Sequence, residues 1–108
     1  MNFWVAKNEK GEICGTTGLY TCCKDEEEAV WLSWFCVAPE ARGQGIGKRL
    51  IEFSIKKAKE QNKKYLRLYT STDPVEESAQ VLYEKYGLAK VKEKNYGTWV
   101  KIERELKL

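Results

Sequence analysis

The sequence contains no histidine among its 108 residues, and it has only two prolines and one methionine. The absence of histidine excludes every mechanism that depends on an imidazole, such as Ser-His-Asp hydrolysis, Cys-His proteolysis and zinc sites built with histidine. No apolar run approaches the roughly 20 residues that a membrane-spanning helix needs. We therefore predict no metal site and no membrane partner.

The cysteines are also informative through a missing pattern. The four of them, Cys14, Cys22, Cys23 and Cys36, include no C-x-x-C pair, so zinc binding and thioredoxin-like chemistry lack their usual spacing. Residues 1–7 have neither the basic start nor the long apolar segment of a secretory signal peptide. We expect free thiols in a reducing cytoplasm.

The chain does have an ordinary globular composition, with 43% hydrophobic residues, 32% charged residues and a net charge of +3. This length predicts a single domain over residues 1–108. The charge is too small to indicate a nucleic-acid partner, and the lysines between residues 56 and 64 lack the interleaved aromatic residues that such binding favours. We predict that the protein binds no nucleic acid.

Hydrophobic periodicity predicts six strands and two helices. The first and last strand pairs read as hairpins, and the last hairpin turn falls at residues 94–97. The second helix opens with Asp73 as N-cap and Pro74 at the first helical position, and Gly87 follows its end. The predicted strands are residues 3–7, 12–21, 29–37, 65–70, 89–93 and 99–106, and the first helix begins at Ile46. The order β-β-β-α-β-α-β-β predicts an α+β (mixed α/β) fold, with one mostly antiparallel sheet and helices packed on its faces.

A glycine-rich loop, Arg42-Gly43-Gln44-Gly45-Ile46-Gly47-Lys48, connects the third strand to the first helix. Its glycines leave room for a ligand, and its N–H groups converge at a helix N-terminus, which suits a phosphate or pyrophosphate. A Walker A loop is excluded because the glycine spacing is one residue short and Arg49 replaces its Ser or Thr. The spacing G-x-G-x-G also fails the Rossmann pattern.

Two segments resemble the signature of the GCN5-related N-acetyltransferase (GNAT) family. Residues 37–50 contain its [QR]-x-x-G-x-[GA] core, matched by Arg42, Gly45 and Gly47. Residues 79–88 look like its A-x-x-L-Y-E-K-x-G-[FL] helix. The two segments occur in the family's order with a strand between them, and the resemblance covers roughly residues 3–106.

The resemblance implies an acetyl-CoA-dependent N-acetyltransferase, in which a primary amine of a small molecule or a protein attacks the thioester directly. It implies that Tyr83 is the general acid that protonates the leaving thiolate, since a phenol of pKa ~10 suits a thiol of pKa ~8.5. The cosubstrate-binding residues that it implies are the backbone groups of Phe35, Cys36 and Val37 for the pantetheine arm, and Arg42, Gly43, Gln44, Gly45, Ile46, Gly47 and Lys48 for the pyrophosphate.

The chain departs from the family at its start, because it begins directly in the first hairpin. Family members generally have a further strand and helices before this point, and those elements build much of the acceptor site. The first strand, with Phe3, Trp4 and Val5, is therefore predicted to be an exposed sheet edge that a second copy covers in a homodimer.

The chain also departs from the family in its proton acceptors. Residues 29–37 carry no carboxylate where many members place the general base, so the amine is expected to lose its proton to solvent. Glu76 stands where an Asn is common, and Cys36 is predicted to be a small buried residue rather than a nucleophile. These departures leave a second interpretation open, a non-catalytic acyl-CoA-binding module or a partial domain completed by a partner chain.

Overall fold

The computed structural model describes residues 2–43, 45–73 and 76–108. Strands and helices follow one another in the predicted order, β-β-β-α-β-α-β-β, so the α+β fold class is confirmed. The elements are β1 (Asn2–Lys7), β2 (Ile13–Tyr20), β3 (Ala29–Val37), a 3-10 turn (Pro39–Ala41), α1 (Ile46–Glu60), β4 (Tyr65–Ser71), α2 (Glu77–Lys85), β5 (Ala89–Asn95) and β6 (Val100–Lys107).

The six strands form one sheet in the order β1-β2-β3-β4-β6-β5. Every neighbouring pair is antiparallel except β3 and β4, which α1 connects as a parallel crossover. The strands β1 and β5 are the edges, and the predicted edge position of the first strand is therefore confirmed.

Both helices pack on the same side of the sheet, which we call the helix face. The predicted packing of helices on the faces of the sheet holds for one face only, because only that face carries the continuous apolar cluster that can bury them. This cluster joins alternate residues of the central strands to both helices, and its buried members are Leu19, Val30, Leu32, Ile51, Ala58, Leu66, Leu68, Tyr83 and Leu88. Ser54 of α1 is also buried there, and its hydroxyl lies 2.7 Å from that of Thr17.

The opposite side of the sheet, which we call the open face, is aromatic and charged. The rings of Tyr20, Trp31 and Tyr69 form a row with centroid separations of 6.4 and 4.7 Å. Arg67 donates to Asp25 at 2.7 Å, to Glu28 at 2.7 Å and to Glu105 at 2.8 Å. The loop at residues 24–28 is therefore anchored to the sheet, although its run of charges alone would predict a solvated connection.

Five strands differ from their predicted boundaries by one or two residues, and further differences occur at the second helix and the last turn. The second helix begins at Glu77, with Glu76 and not Asp73 as its N-cap, and Pro74 lies outside the described residues. The last hairpin turn spans residues 96–99 because the Tyr96 N–H donates to the Trp99 carbonyl at 2.9 Å and the two rings stack. At the end of α2 the prediction holds, since Gly87 has a φ of 84°.

Neither α1, with 15 residues, nor α2, with nine, combines the length and apolarity that a bilayer crossing requires of a helix. That finding applies to the described residues.

Candidate active site

A slit opens between β3 and β4, the two central parallel strands. They pair only from Ala29 and Tyr65 to Leu32 and Leu68. Beyond that point β3 continues along β2 to Val37, while β4 continues along β6. The β4-facing edge of β3 therefore presents unpaired backbone groups to whatever occupies the slit.

A β-bulge in β3 separates the two strands. Between the pairs Gly18–Ser33 and Thr16–Cys36, β3 contains one residue more than β2. Trp34 takes up the extra residue with a φ of 54°, and the Thr16 hydroxyl donates to its carbonyl at 2.5 Å. A positive φ is unfavourable for a bulky residue, and bulges bend a strand and increase its twist, so this feature turns β3 away from β4.

On the helix face the slit widens into a groove of about 540 Å³. The structure brings together in this groove every cosubstrate-binding residue and the tyrosine that the sequence predicted, except Gln44, which lies outside the described residues. The groove is lined by Phe35, Cys36, Val37, Ala41, Arg42, Gly43, Gly45, Ile46, Gly47, Lys48, Glu76, Ser78, Ala79, Leu82 and Tyr83.

The glycine loop presents an open backbone at the start of α1. Gly43 and Gly45 have φ values of 82° and 79°, and a Cβ added at either would meet no atom within 4 Å. Gly45 is the N-cap of α1 and makes no side-chain cap hydrogen bond. The first N–H groups of α1 thus lack a side-chain cap. They form the positive end of the helix dipole, which favours an anion.

Gly47 and Arg42 have roles that the loop pattern alone does not reveal. A Cβ at Gly47 would lie 3.4 Å from Leu82 and 3.6 Å from Val37, so this glycine allows α1 and α2 to approach each other. The Arg42 side chain donates from Nε to the Val37 carbonyl at 3.4 Å and so connects the loop back to β3.

Tyr83 projects from α2 into the groove and is only 6% exposed. Its ring lies 5.8 Å from that of Phe35, which belongs to the opposite wall. Burial raises the pKa of Tyr83 well above its ordinary value, the charge of Glu76 raises it further, and Arg104 opposes the shift. The sequence-based expectation of a phenol with a pKa near 10 is therefore corrected, and Tyr83 holds its proton more strongly than assumed.

Glu76 is a groove residue whose chemistry the sequence did not reveal. Its carboxylate accepts a hydrogen bond from the Ser71 hydroxyl at the end of β4, and it acts electrostatically on Tyr83. Sequence reasoning treated this position as a replaced Asn. Its role depends on the hydrogen bond with Ser71 and the charge effect on Tyr83, which only the fold brings about.

Arg104 is a second residue that the sequence analysis missed. It is 2% exposed, and it donates to Gln80 at 2.9 Å, to the Leu88 carbonyl at 2.6 Å and to Glu84. Gln80 in turn donates to the Ser71 carbonyl at 2.8 Å. This network fixes α2, and with it Tyr83, against β4 and β6. The alternation of the last strand could have revealed it, since Arg104 lies on the same side of β6 as the apolar residues Ile102 and Leu106.

Cys36 is exposed, so the prediction of a small buried residue is wrong. Beyond the bulge, Phe35 and Val37 turn towards the helices, and the alternation of a strand then directs Cys36 the other way. All four cysteines are free thiols, as expected.

The chain resembles known proteins in both sequence and fold. A family model described as an acetyltransferase (GNAT) domain matches residues 1–87. Human N-acetyltransferase 8B is 29% identical over 102 residues, which is 93% of this chain but 44% of that protein. The chain therefore spans less than half the length of this curated relative.

Solved structures show the same fold. A GNAT family acetyltransferase from Elizabethkingia anophelis with acetyl-CoA bound superimposes with a TM-score of 0.84 at 26% identity, covering 98% of this chain and 75% of that one. An IAA acetyltransferase from Bacillus cereus superimposes with a TM-score of 0.83 at 22% identity, covering 98% and 77%.

Proposed function

The chain belongs to the GNAT acetyltransferase family, and we propose that it transfers the acetyl group of acetyl-CoA to a primary amine within one domain over residues 1–108. The observation that carries the proposal is the groove. It combines an uncapped helix N-terminus, an unpaired strand edge and a buried phenol in one cavity of about 540 Å³. The similar structure with acetyl-CoA bound supports this choice of cosubstrate.

The residues of the groove fit acetyl-CoA. The backbone of Phe35, Cys36 and Val37 would pair with the amides of the pantetheine arm, as a strand edge pairs with an added strand. The open N–H groups at Gly43, Gly45 and the first turn of α1 would hold the pyrophosphate, with Lys48 adding charge. Gln44 keeps the pyrophosphate role that the family resemblance implies.

When bound, acetyl-CoA supplies a thioester whose carbonyl carbon bonds to the amine nitrogen as the carbon–sulfur bond breaks. Backbone N–H groups of β3 would polarise that carbonyl. Tyr83 is proposed as the general acid that gives a proton to the departing thiolate of coenzyme A. Because its pKa is raised by burial, it stays neutral at working pH and acts first as a hydrogen-bond donor.

Glu76 is proposed as the base that takes the proton of the amine. It is the one carboxylate among the groove-lining residues that the structure describes. Glu76→Gln is expected to lower kcat/KM by about 10- to 100-fold, while the exposed neighbour Glu77→Gln leaves it unchanged. Equal values for Glu76→Gln and the unaltered protein would assign the proton to solvent instead.

Acetyl-CoA binding, measured by calorimetry, tests the proposed cosubstrate. Gly45→Glu and Gly45→Gln impose the same strain at a positive φ, but only the carboxylate repels the pyrophosphate. We expect binding to be lost in Gly45→Glu and largely retained in Gly45→Gln. Equal affinity in both variants would mean that the loop does not hold the phosphates.

The absence of a carboxylate on the described β3 favours a second candidate, a non-catalytic acyl-CoA-binding module completed by a partner chain. Tyr83→Phe separates the two. In an enzyme it lowers kcat by about 100-fold or more while acetyl-CoA affinity persists. A binding module shows no turnover in either form.

A homodimer through β1 is proposed for the same reason that the sequence suggested it. Phe3 and Val5 are exposed on this edge strand, which presents unpaired backbone groups. Val5→Lys is expected to shift sedimentation from dimer to monomer, and a wild-type monomer at high concentration would exclude the pairing. The four free thiols suit a reducing compartment, and we propose the cytoplasm.

A further inference from the structure

Three lysines on the open face form a patch beside the slit. Lys92 and Lys94 belong to β5 and Lys101 belongs to β6, and we call these three residues the lysine patch. They surround a hollow of about 490 Å³ that is also lined by Tyr69, Glu93 and Glu103. The hollow lies on the other side of the sheet from the glycine loop, so it is separate from the pyrophosphate cradle.

The lysine patch contains an unfavourable arrangement of charge. Lys94 and Lys101 are directly opposite each other in the antiparallel pair of β5 and β6. Like charges in this relation destabilise a sheet. Within the described residues, no carboxylate oxygen lies within 4.0 Å of any of the three ammonium groups.

The nearby carboxylates of the described residues make no ion pair with the lysine patch. Glu93 pairs with Lys90 at 3.7 Å, and Glu103, which is opposite Lys92 in the ladder, acts electrostatically on Tyr69, whose pKa is raised by burial and by this charge. The ammonium groups of Lys94 and Lys101 lie instead over aromatic rings, at 5.2 Å from the centroid of Tyr96 and 3.9 Å from that of Tyr69. A local rule broken in this way is typical of a binding site, where a ligand supplies the missing charge.

The position of the lysine patch relates it to the slit. Tyr69 is the first residue of β4 beyond its pairing with β3, so its ring borders the open-face mouth of the slit. Lys101 lies over that ring and is opposite Ser71, whose hydroxyl donates to Glu76. An amine entering from the open face would pass the lysine patch on its way towards Glu76 and Tyr83.

We propose that the lysine patch binds an anionic group carried by the acceptor, so that the acceptor is a primary amine with a carboxylate or phosphate at its other end. This inference rests on the proposed function. Neighbouring strands lie about 4.8 Å apart, so the path from the slit beside β4 to the Lys94–Lys101 pair is about 5–10 Å. That span suits an ω-amino acid such as 6-aminohexanoate and is too long for glycine.

The test compares 6-aminohexanoate, 6-aminohexyl phosphate and hexylamine as acceptors in acetyl-CoA turnover. We expect kcat/KM for at least one anionic acceptor to exceed that for hexylamine by about tenfold or more, mainly through KM. The larger of the two preferences identifies the anion. Equal values for all three acceptors would overturn the inference and leave the proposed function intact.

Lys94→Glu and the control Lys56→Glu change the net charge equally, but Lys56 lies on the exposed side of α1. Lys94→Glu is expected to remove the preference for the anionic acceptor while kcat for hexylamine is unchanged. It should also raise Tm by about 2–4 °C, because the new carboxylate faces Lys101. A fall in acetyl-CoA affinity confined to Lys94→Glu would assign the patch to the cosubstrate and contradict the proposal.

Binding without turnover separates this inference from the proposed function. We expect 6-aminohexanoate to bind the protein saturated with coenzyme A, and Lys94→Glu but not Lys56→Glu to abolish this heat of binding. Such binding in a protein that acetylates no amine would support the site and refute the enzyme. Turnover of hexylamine with no Lys94-dependent binding of either anion would do the reverse.

Discussion

Arg104 and Arg67 lie on opposite faces of the same sheet, in the neighbouring strands β6 and β4. Arg104 is 2% exposed on the helix face, and its partners Gln80 and the Leu88 carbonyl hold the helix that carries Tyr83. The Arg67 side chain is 15% exposed on the open face, and its three carboxylate partners hold a loop and a strand end. The buried arginine of the helix face therefore supports the proposed catalytic groove, while the arginine of the open face supports the sheet itself.

Arg104→Met gives the largest effect expected. The variant leaves the Leu88 carbonyl and Gln80 without their buried donor, so the free energy of unfolding should fall by about 3 kcal/mol. We also expect kcat to fall, because α2 loses its attachment to β6. Urea denaturation and steady-state kinetics measure the two effects.

Glu84→Gln is the control, since this partner's side chain is 66% exposed and the loss should be far smaller. Equal losses would show that the ion pair holds α2.

Arg67→Met should destabilise the fold by about 2 kcal/mol and leave acetyl-CoA affinity unchanged. Burial alone would lower the pKa of Arg67, but hydrogen bonds to Glu105, Glu28 and Asp25 raise it, so the guanidinium remains charged and its loss leaves three carboxylates close together. Denaturation and calorimetry measure stability and affinity separately. A drop in affinity would show instead that the two faces are coupled through β4.

The sequence predicted the fold well because each element has a local cause. The apolar period of α1, the alternation in β4 and the glycine at the end of α2 each determine their own segment. The placement of both helices on one face was not predictable in this way. It depends on which side of β3 and β4 joins the common cluster, and residues 29–37 are apolar on both sides.

The site was predictable where a motif specifies backbone, and less so where side chains meet through the fold. The glycine loop and Tyr83 were found because the family resemblance includes them. Glu76 and the lysine patch were missed, since the role of Glu76 depends on its contact with Ser71 and that of the patch on the register between β5 and β6. The exposure of Cys36 was wrongly predicted because one bulge residue, Trp34, reverses the alternation after it.

Two glycines in β2 extend the comparison of the faces to packing. A Cβ at Gly15 would lie 2.6 Å from the Leu50 side chain, which is buried, whereas a Cβ at Gly18 would lie 3.2 Å from the Asn2 carbonyl at the exposed edge. Gly15→Ala should destabilise the fold by about 1.5 kcal/mol and Gly18→Ala by about 0.5 kcal/mol. Chemical denaturation of both variants checks the order. The reverse order would mean that Leu50 repacks easily and the edge does not.

The tyrosines of the two faces, Tyr83 and Tyr69, should differ in how strongly they make stability depend on pH. Burial raises the pKa of Tyr83 on the helix face, and burial followed by Glu103 raises that of the half-exposed Tyr69 on the open face. A tyrosine with a raised pKa in the folded state costs no stability below pH ~10, and stability is lost as the pH rises further, because the unfolded chain then releases the proton more easily. At pH 11 this loss reaches about 1.4 kcal/mol for a group that stays neutral when folded.

Denaturation at pH 8 and pH 11 should therefore show a shallower alkaline decline in Tyr83→Phe than in Tyr69→Phe. Equal declines would show that the groove around Tyr83 is as open to water as the open face.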